Sequence, residues 1–388
     1  MDYDVVVVGA GPGGSMAAKH LAKEGVDVLL VEKRPEIGTP VRCGEGTGIN
    51  GLKEHGIEIK KEFIANEING YCLFSPDGSK VEMPSKESNA YILERRIFDK
   101  CLAIEAAKNG AEVRVRTYAT GLRKENGAVK GVRLKHFNEE YEVGCDVVVG
   151  ADGVEGKVGR WAGINTRTRL DQMTSNVQFE MVGIELDAPH SMEFHFGHKV
   201  APGGYAWVFP KGKDVANVGL GVRGVEKTAL EYLNEFIESK ENLRNGSVIE
   251  INTGGVPVQG PIDKSVGSGV VLVGDSARQV DPLTGGGIYN AMHCGVIAGE
   301  VIKEAIEKKD FSERFLMEYD RRWRGTIGKG LLRSLKVKNG LQKMSDEDLN
   351  LVARAMRELK LGDIDIKDIS QTLFRLPPEF LQFVQSLI

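Results

Sequence analysis

The chain lacks most of what would assign it to several large function classes. Its five cysteines (Cys43, Cys72, Cys101, Cys145 and Cys294) are odd in number, scattered and without CxxC spacing. That excludes a disulfide framework or a zinc ribbon and favours a reducing, cytoplasmic setting. Its longest apolar runs, such as Val5 to Val8, fall far short of the roughly 20 residues a membrane-spanning helix needs. With 51 basic and 55 acidic residues the net charge is −4, so no global field draws it to nucleic acid, and no such partner is expected. No charged-then-apolar leader opens the chain, since strand-like sequence begins almost at Met1. There is no internal repeat and no low-complexity tract. The histidines of "HFGH" do not predict a metal site, because a strand would point His195 and His198 to opposite faces.

What is plentiful is glycine, at 48 residues with no collagen period, which implies tight turns and close backbone approaches to a ligand. "YDVVVV" reads as a buried parallel strand and runs into "GAGPGG", then the helical "SMAAKHLAKEG", then a second strand ending at Glu32. Strand, glycines, helix, strand and terminal acid in this order predict a dinucleotide site on Gly9, Gly11, Gly13 and Gly14. Gly9 turns the chain, Gly11 admits the pyrophosphate, Gly14 lets helix and strand pack, and Glu32 accepts from a ribose. A second match, "GLGVRG" (219–224), is followed by no second parallel strand with a terminal acid, and is read as glycines closing an antiparallel strand.

Two later segments point to the cofactor: "DVVVGADG" (146–153) and "GVVLVGDSARQVDPLTGGGI" (269–288). With the first unit they resemble the flavoproteins built like p-hydroxybenzoate hydroxylase. The resemblance implies FAD, with Asp275 on the ribityl chain and the backbone of Gly286, Gly287 and Ile288 against the flavin ring. Side-chain-free residues let a backbone lie on a flat ring, and a helix N-terminus stabilises a reduced, anionic one.

Within that group the chain is similar to the geranylgeranyl reductases, and particularly to the archaeal digeranylgeranylglycerophospholipid reductases. The resemblance is carried by "EKRPEIGTPVRCGEG" (32–46), "YILERRIFDK" (91–100), "GGYAWVFPKGKDVANVGLGV" (203–222) and the GD segment. It implies FAD-dependent saturation of isolated double bonds in the geranylgeranyl chains of a prenylated glycerophospholipid, with an external donor (ferredoxin, reduced deazaflavin or NAD(P)H) supplying electrons. It also implies that Arg95 and, less directly, Ala119 contact FAD, and that Cys43, Gly44 and Gly46 line the flavin site. Arg42 is read as offsetting phosphate or reduced-flavin charge. The alternation "Y-A-W-V-F" puts Tyr205, Trp207 and Phe209 on one strand face, and the resemblance makes that face a wall for the prenyl chain. Cys43, Tyr205 and Trp207 are the catalytic candidates, with Cys43, Tyr205 and a bound water as proton sources left open. A monooxygenase of the same fold, a geranylgeranyl diphosphate reductase and a non-catalytic lipid binder are the rivals.

The expected architecture is α/β, or α+β taken as a whole: a Rossmann-like FAD-binding domain from 1–65, 90–165 and 255–310, an antiparallel-sheet substrate domain from 66–89 and 166–254, and a helical C-terminal region, 311–388. Between Arg321 and Lys343 lie eight basic residues and no acid: Arg321, Arg322, Arg324, Lys329, Arg333, Lys336, Lys338 and Lys343. Attraction to an anionic headgroup or membrane surface, giving peripheral association, is one reading, and a solvated helix with charges offset by acids elsewhere is the other. The tail residues Phe380, Leu381, Phe383, Val384, Leu387 and Ile388 have helical spacing and are expected to dock on the core.

Overall fold

A computed structural model describes residues 2–358; the tail helix expected around Phe380 to Ile388 lies outside them. Five parallel strands form the centre of the first sheet. Asp2–Val8 is flanked by Val28–Val31 and Glu112–Arg114 on one side, and by Glu139–Gly150 and Val270–Leu272 on the other. Both faces are covered, which is why these strands read as continuous valine and leucine runs rather than alternating ones. The helices Pro12–Lys23 and Ile288–Lys308 pack on one face. The ribbon Thr117–Glu125 and Ala128–His136 belongs to the cluster on the other. Close approach is essential here, because a Cβ on Gly14 would lie 1.9 Å from the Gly9 carbonyl oxygen and one on Gly295 2.3 Å from that of Gly13. The two helices therefore begin side by side at the carboxyl ends of the strands.

The second sheet has seven strands in the order Ser247–Pro257, Met173–Val182, Val215–Val222, Tyr205–Pro210, Ser191–His195, Gly70–Phe74 and Lys80–Pro84. The sequence predicts an antiparallel sheet, but Ser191–His195 runs parallel to Gly70–Phe74. These two strands arrive on separate excursions of the chain, so no tight hairpin fixes their relative direction. Ala206 and Val208 face the amphipathic helix Ala229–Glu238, while Tyr205, Trp207 and Phe209 face the other way. A small sheet of Gly46–Gly48, Ala90–Leu93 and Ile64–Ile68 completes the strands.

Three helices follow: Glu313–Trp323, Lys329–Leu341 and Asp346–Glu358, the first two joined by a π-helical turn, Arg324–Gly328. Ser345 and Asp348 exchange hydrogen bonds at the start of the third, the reciprocal cap its sequence suggests. No described helix is long and apolar enough to cross a membrane.

The basic run divides. Arg321 and Arg322 pair with Glu318, Arg322 also with Glu304, and Arg324 with buried Asp320. Lys338 is buried. Lys329, Arg333, Lys336 and Lys343 remain exposed. Asp320 also accepts from the amide of Ser265 at 3.0 Å and from its hydroxyl, which in turn accepts from the Trp323 indole. Replacing Asp320 with Ala would leave the Ser265 amide and hydroxyl without their acceptor and Arg324 without its carboxylate. The expected loss is about 3–5 kcal/mol, read as a lower denaturant midpoint; an unchanged midpoint would show that this network is not structural.

Candidate active site

A cavity of 710 Å³ runs between the two large sheets. At one end it is lined by Gly9, Gly11, Gly13 and Glu32. The Glu32 carboxylate is held in place by the amides of Ala10, at 3.1 Å, and Arg34, at 3.0 Å. Gly14 does not line the cavity; its place is beneath it, at the helix–strand contact. Ala119 enters from the ribbon, and Asp275, Gly286, Gly287 and Ile288 form the wall below. Asp275 is half-buried in the turn Gly274–Ala277, and no donor among the described residues reaches its carboxylate. Burial pushes its pKa up, against the charge of Arg95.

An orphaned acceptor, a ring of glycines and the first turn of a 21-residue helix suit a dinucleotide whose ribityl hydroxyls would satisfy Asp275. The cleft fits FAD, and Gly9, Gly11, Gly13, Glu32, Asp275 and residues 286–288 line it where they could hold the cofactor.

The loop of Arg42, Cys43, Gly44, Glu45 and Gly46 forms one side of the same cavity. Arg42 is exposed at its rim. The Sγ of Cys43 accepts the Glu45 amide at 3.2 Å, and its carbonyl accepts Nε2 of Gln178 at 3.1 Å. Burial pushes the Cys43 thiol pKa up, with Arg95 opposing. Arg95 itself lines the cavity, but its Nε and Nη2 are engaged by Asp99 at 2.7 and 2.8 Å. The same guanidinium also lies against the Cys43 side chain.

Glu45 is buried, with a left-handed backbone at φ 70°. Its carboxylate accepts the Arg95 amide at 2.8 Å and Asn217 Nδ2 at 2.8 Å, and pairs with Lys211 at 3.2 Å. Burial raises its pKa, opposed mainly by Lys211. Lys211 also meets Glu94 at 2.7 Å and Glu180 at 2.8 Å.

Opposite the loop, Tyr205, Trp207, Phe209 and Phe194 form a continuous aromatic wall. Neighbouring rings in it lie 5.3–6.2 Å apart. The wall touches the loop directly, since a Cβ on Gly44 would lie 2.9 Å from the Phe209 ring. Gly219, from the second glycine motif, sits in an antiparallel strand as the sequence suggests. A Cβ there would meet the Trp207 ring at 2.5 Å, so the glycine makes room for the indole. Trp207 Nε1 donates to Gln178 at 2.9 Å, and the Tyr205 hydroxyl donates to the Thr284 carbonyl.

Elsewhere along the cavity Lys338 appears with Leu341, Gln342 and Leu349. Its Nζ donates to the Val258 carbonyl and lies 3.5 Å from the Gln172 Oε1. Arg223 Nη1 reaches that same oxygen at 3.3 Å. Among the described residues neither cation is in an ion pair. His195 and His198 serve separate places, pairing with Glu193 and Asp346.

Glu45, Gln178, Asn217 and Lys211 were not among the candidates from sequence, and Lys338 was named only as one of eight cations read for an anionic headgroup or membrane surface. Glu45 had a signal, an acid set between two glycines in a loop facing a cofactor. The others are polar residues on strands and a helix that become neighbours only through the fold.

The geranylgeranyl reductase catalytic domain matches residues 172–256, and an NAD(P)-binding Rossmann-like domain matches 7–57. The digeranylgeranylglycerophospholipid reductase of Methanosarcina mazei is 47% identical, covering 98% of this chain and 94% of its own. That of Methanocaldococcus jannaschii is also 47% identical, covering 100% and 98%. A solved geranylgeranyl bacteriochlorophyll reductase-like protein from Thermoplasma acidophilum superposes with a TM-score of 0.93 at 40% identity, covering 100% and 99%. A flavin-dependent brominase, at 19% identity and a TM-score of 0.70 over 100% and 98%, shares the fold alone. On the full-length likeness to the two reductases, the chain belongs to the geranylgeranyl reductase family of oxidoreductases.

Proposed function

We propose that this protein is an FAD-dependent reductase that saturates isolated double bonds in the geranylgeranyl chains of a prenylated glycerophospholipid. The observation that carries the reading is the single cavity in which the dinucleotide cradle, the Cys43 loop and the aromatic wall meet. Bound FAD supplies the hydride. The protein must supply a proton and a place for positive charge, because an isolated trisubstituted alkene has no carbonyl to take up electrons.

Cys43 is the better-placed proton source. Its raised pKa keeps the thiol protonated, and its sulfur accepts the Glu45 amide, leaving its own hydrogen free for the cavity. Tyr205, by contrast, has its hydrogen committed to Thr284. The faces of Trp207 and Phe209 stabilise tertiary cation character by about 0.5–2 kcal/mol, and the apolar wall excludes water from the reacting bond.

Arg223 and Lys338 support a phosphate-bearing substrate. Two cations share one oxygen without a carboxylate partner among the described residues, an arrangement that an anion would relieve. Exposed Lys329, Arg333, Lys336 and Lys343 would add attraction to an anionic membrane surface, about 1 kcal/mol each near it. Electrons would come from an external donor.

Three measurements test this reading. Chemically reduced protein incubated without oxygen with digeranylgeranylglyceryl phosphate should yield product two hydrogens heavier per double bond. Gain of oxygen on aeration would indicate a monooxygenase instead, and an unchanged lipid a mere binder. In the same assay Cys43→Ala should lower turnover at least about tenfold with FAD retained, and Trp207→Leu by about 2- to 30-fold; full turnover in Cys43→Ala would remove the thiol as donor. Third, burial and then Arg223 lower the Lys338 pKa to about 8. The free protein therefore carries this cation below pH 8 and loses it above. KM for the phosphate-bearing lipid should rise as pH passes about 8, with kcat unmoved, and Lys338→Arg should abolish that rise. A pH-independent KM in the wild type would dissociate Lys338 from the headgroup.

A further inference from the structure

We propose that Glu54, His55 and His293 form a binding site for a divalent first-row transition ion of the Zn²⁺ class, beside the flavin cleft rather than within it. One ligand atom from each residue lies within 4.8 Å of those of the other two. Glu54 and His55 end the short helix Ile49–Glu54, which follows directly from the Cys43 loop and its strand Gly46–Gly48. His293 comes from the helix Ile288–Lys308, whose first residue lines the cleft.

The hydrogen bonds around the cluster orient its lone pairs. The Thr326 hydroxyl has one hydrogen, and its carbonyl neighbour, Trp323 O at 3.0 Å, can only accept it. With that hydrogen on the carbonyl, Thr326 Oγ1 accepts from His293 Nε2, 3.0 Å away, and the proton of a neutral His293 sits on Nε2. The Nδ1 lone pair is left facing Glu54 Oε1 at 3.6 Å. Two acceptors then face each other beyond hydrogen-bond distance, an arrangement that asks for a cation between them.

The Tyr289 hydroxyl occupies the other Glu54 oxygen at 3.0 Å, leaving Oε1 free. His55 Nε2 is buried without a hydrogen-bond partner among the described residues. Tyr289 packs against both imidazoles, with centroids at 5.5 and 5.6 Å, and the imidazoles themselves lie 5.3 Å apart, so the three rings brace one another.

Two imidazoles and one carboxylate suit Zn²⁺ or a neighbouring transition ion rather than Mg²⁺ or Ca²⁺, which prefer all-oxygen shells. A tetrahedral ion places its ligands about 3.4 Å apart, so the cluster must contract slightly, through the exposed Glu54 side chain. Thr326 and Tyr289 stand as the outer partners such ligands usually have. An ion here would tie the helix after the Cys43 loop to the helix beneath the flavin, fixing one rim of the cleft.

The test uses full-length, FAD-loaded, chelator-treated protein titrated calorimetrically with ZnCl₂, with CoCl₂ absorption as a second readout. One ion per chain is expected, with the intense visible bands of low-coordinate Co²⁺. His293→Ala should abolish binding and Glu54→Gln weaken it at least about tenfold. Thr326→Val, which cannot accept from Nε2 yet keeps its volume, should weaken it about 10- to 100-fold, and His198→Ala should leave it unchanged. FAD absorbance and circular dichroism confirm that each variant is folded. Absence of saturable binding in the wild type, or equal binding in His293→Ala and Glu54→Gln, would overturn the site.

Discussion

The cleft depends on one buried carboxylate. Glu45 occupies a left-handed backbone conformation, which costs a residue other than glycine about 1–2 kcal/mol, and its burial opposes ionisation. Lys211, Asn217 and the Arg95 amide offset both. These donors have different origins: Lys211 and Asn217 belong to the hairpin of the seven-stranded sheet, and Arg95 opens a helix packed on the dinucleotide unit. One side chain thus fastens the loop to both bodies. Because the Glu45 amide donates to Cys43 Sγ and Gln178 bridges the Cys43 carbonyl to the Trp207 indole, the thiol and the aromatic wall inherit their positions from it. Removing Lys211 would be costly, since Glu45, Glu94 and Glu180 would then lose the cation they share.

What the sequence made legible follows from local order. The strand, glycines, helix and Glu32 of the first unit are contiguous, so their spacing alone places them around one turn. "YAWVFP" exposes its period of two, and the structure puts Tyr205, Trp207 and Phe209 together on the cleft face. The parallel junction between Ser191–His195 and Gly70–Phe74 was not legible, because more than a hundred residues separate the strands and no turn chemistry marks their meeting. Gln178 and Asn217 were hidden for a related reason. Each is a polar residue at a buried strand position, and what it bonds lies over 130 residues earlier in the chain. The run from Arg321 to Lys343 left two readings open, an anionic-surface patch or a helix with charges offset by acids elsewhere, and the structure divides it between them. It holds three arginines paired with acids, one buried lysine and four exposed cations without an ion pair among the described residues, a division made by Glu318, Glu304 and Asp320 rather than by the run itself.

The placement of charge in the cleft has a consequence for the proposed chemistry. The reacting alkene becomes cationic, so a fixed positive charge nearby opposes the reaction; a unit charge at 8 Å costs about 2 kcal/mol at an effective dielectric of 20. Along the aromatic wall the surroundings are apolar rings, and the Cys43 thiol, kept neutral by burial, can give up a proton without first presenting a charge. Among the described residues Arg223 and Lys338 are in no ion pair, and without an anion their field would extend into the cavity that Lys338 lines. On the proposed headgroup site, a bound phosphate would cancel that field as it anchored the lipid. Headgroup binding then does more than hold the substrate: it removes an electrostatic penalty from the step at the double bond, which makes the phosphate matter to kcat as well as KM for any substrate that lacks it.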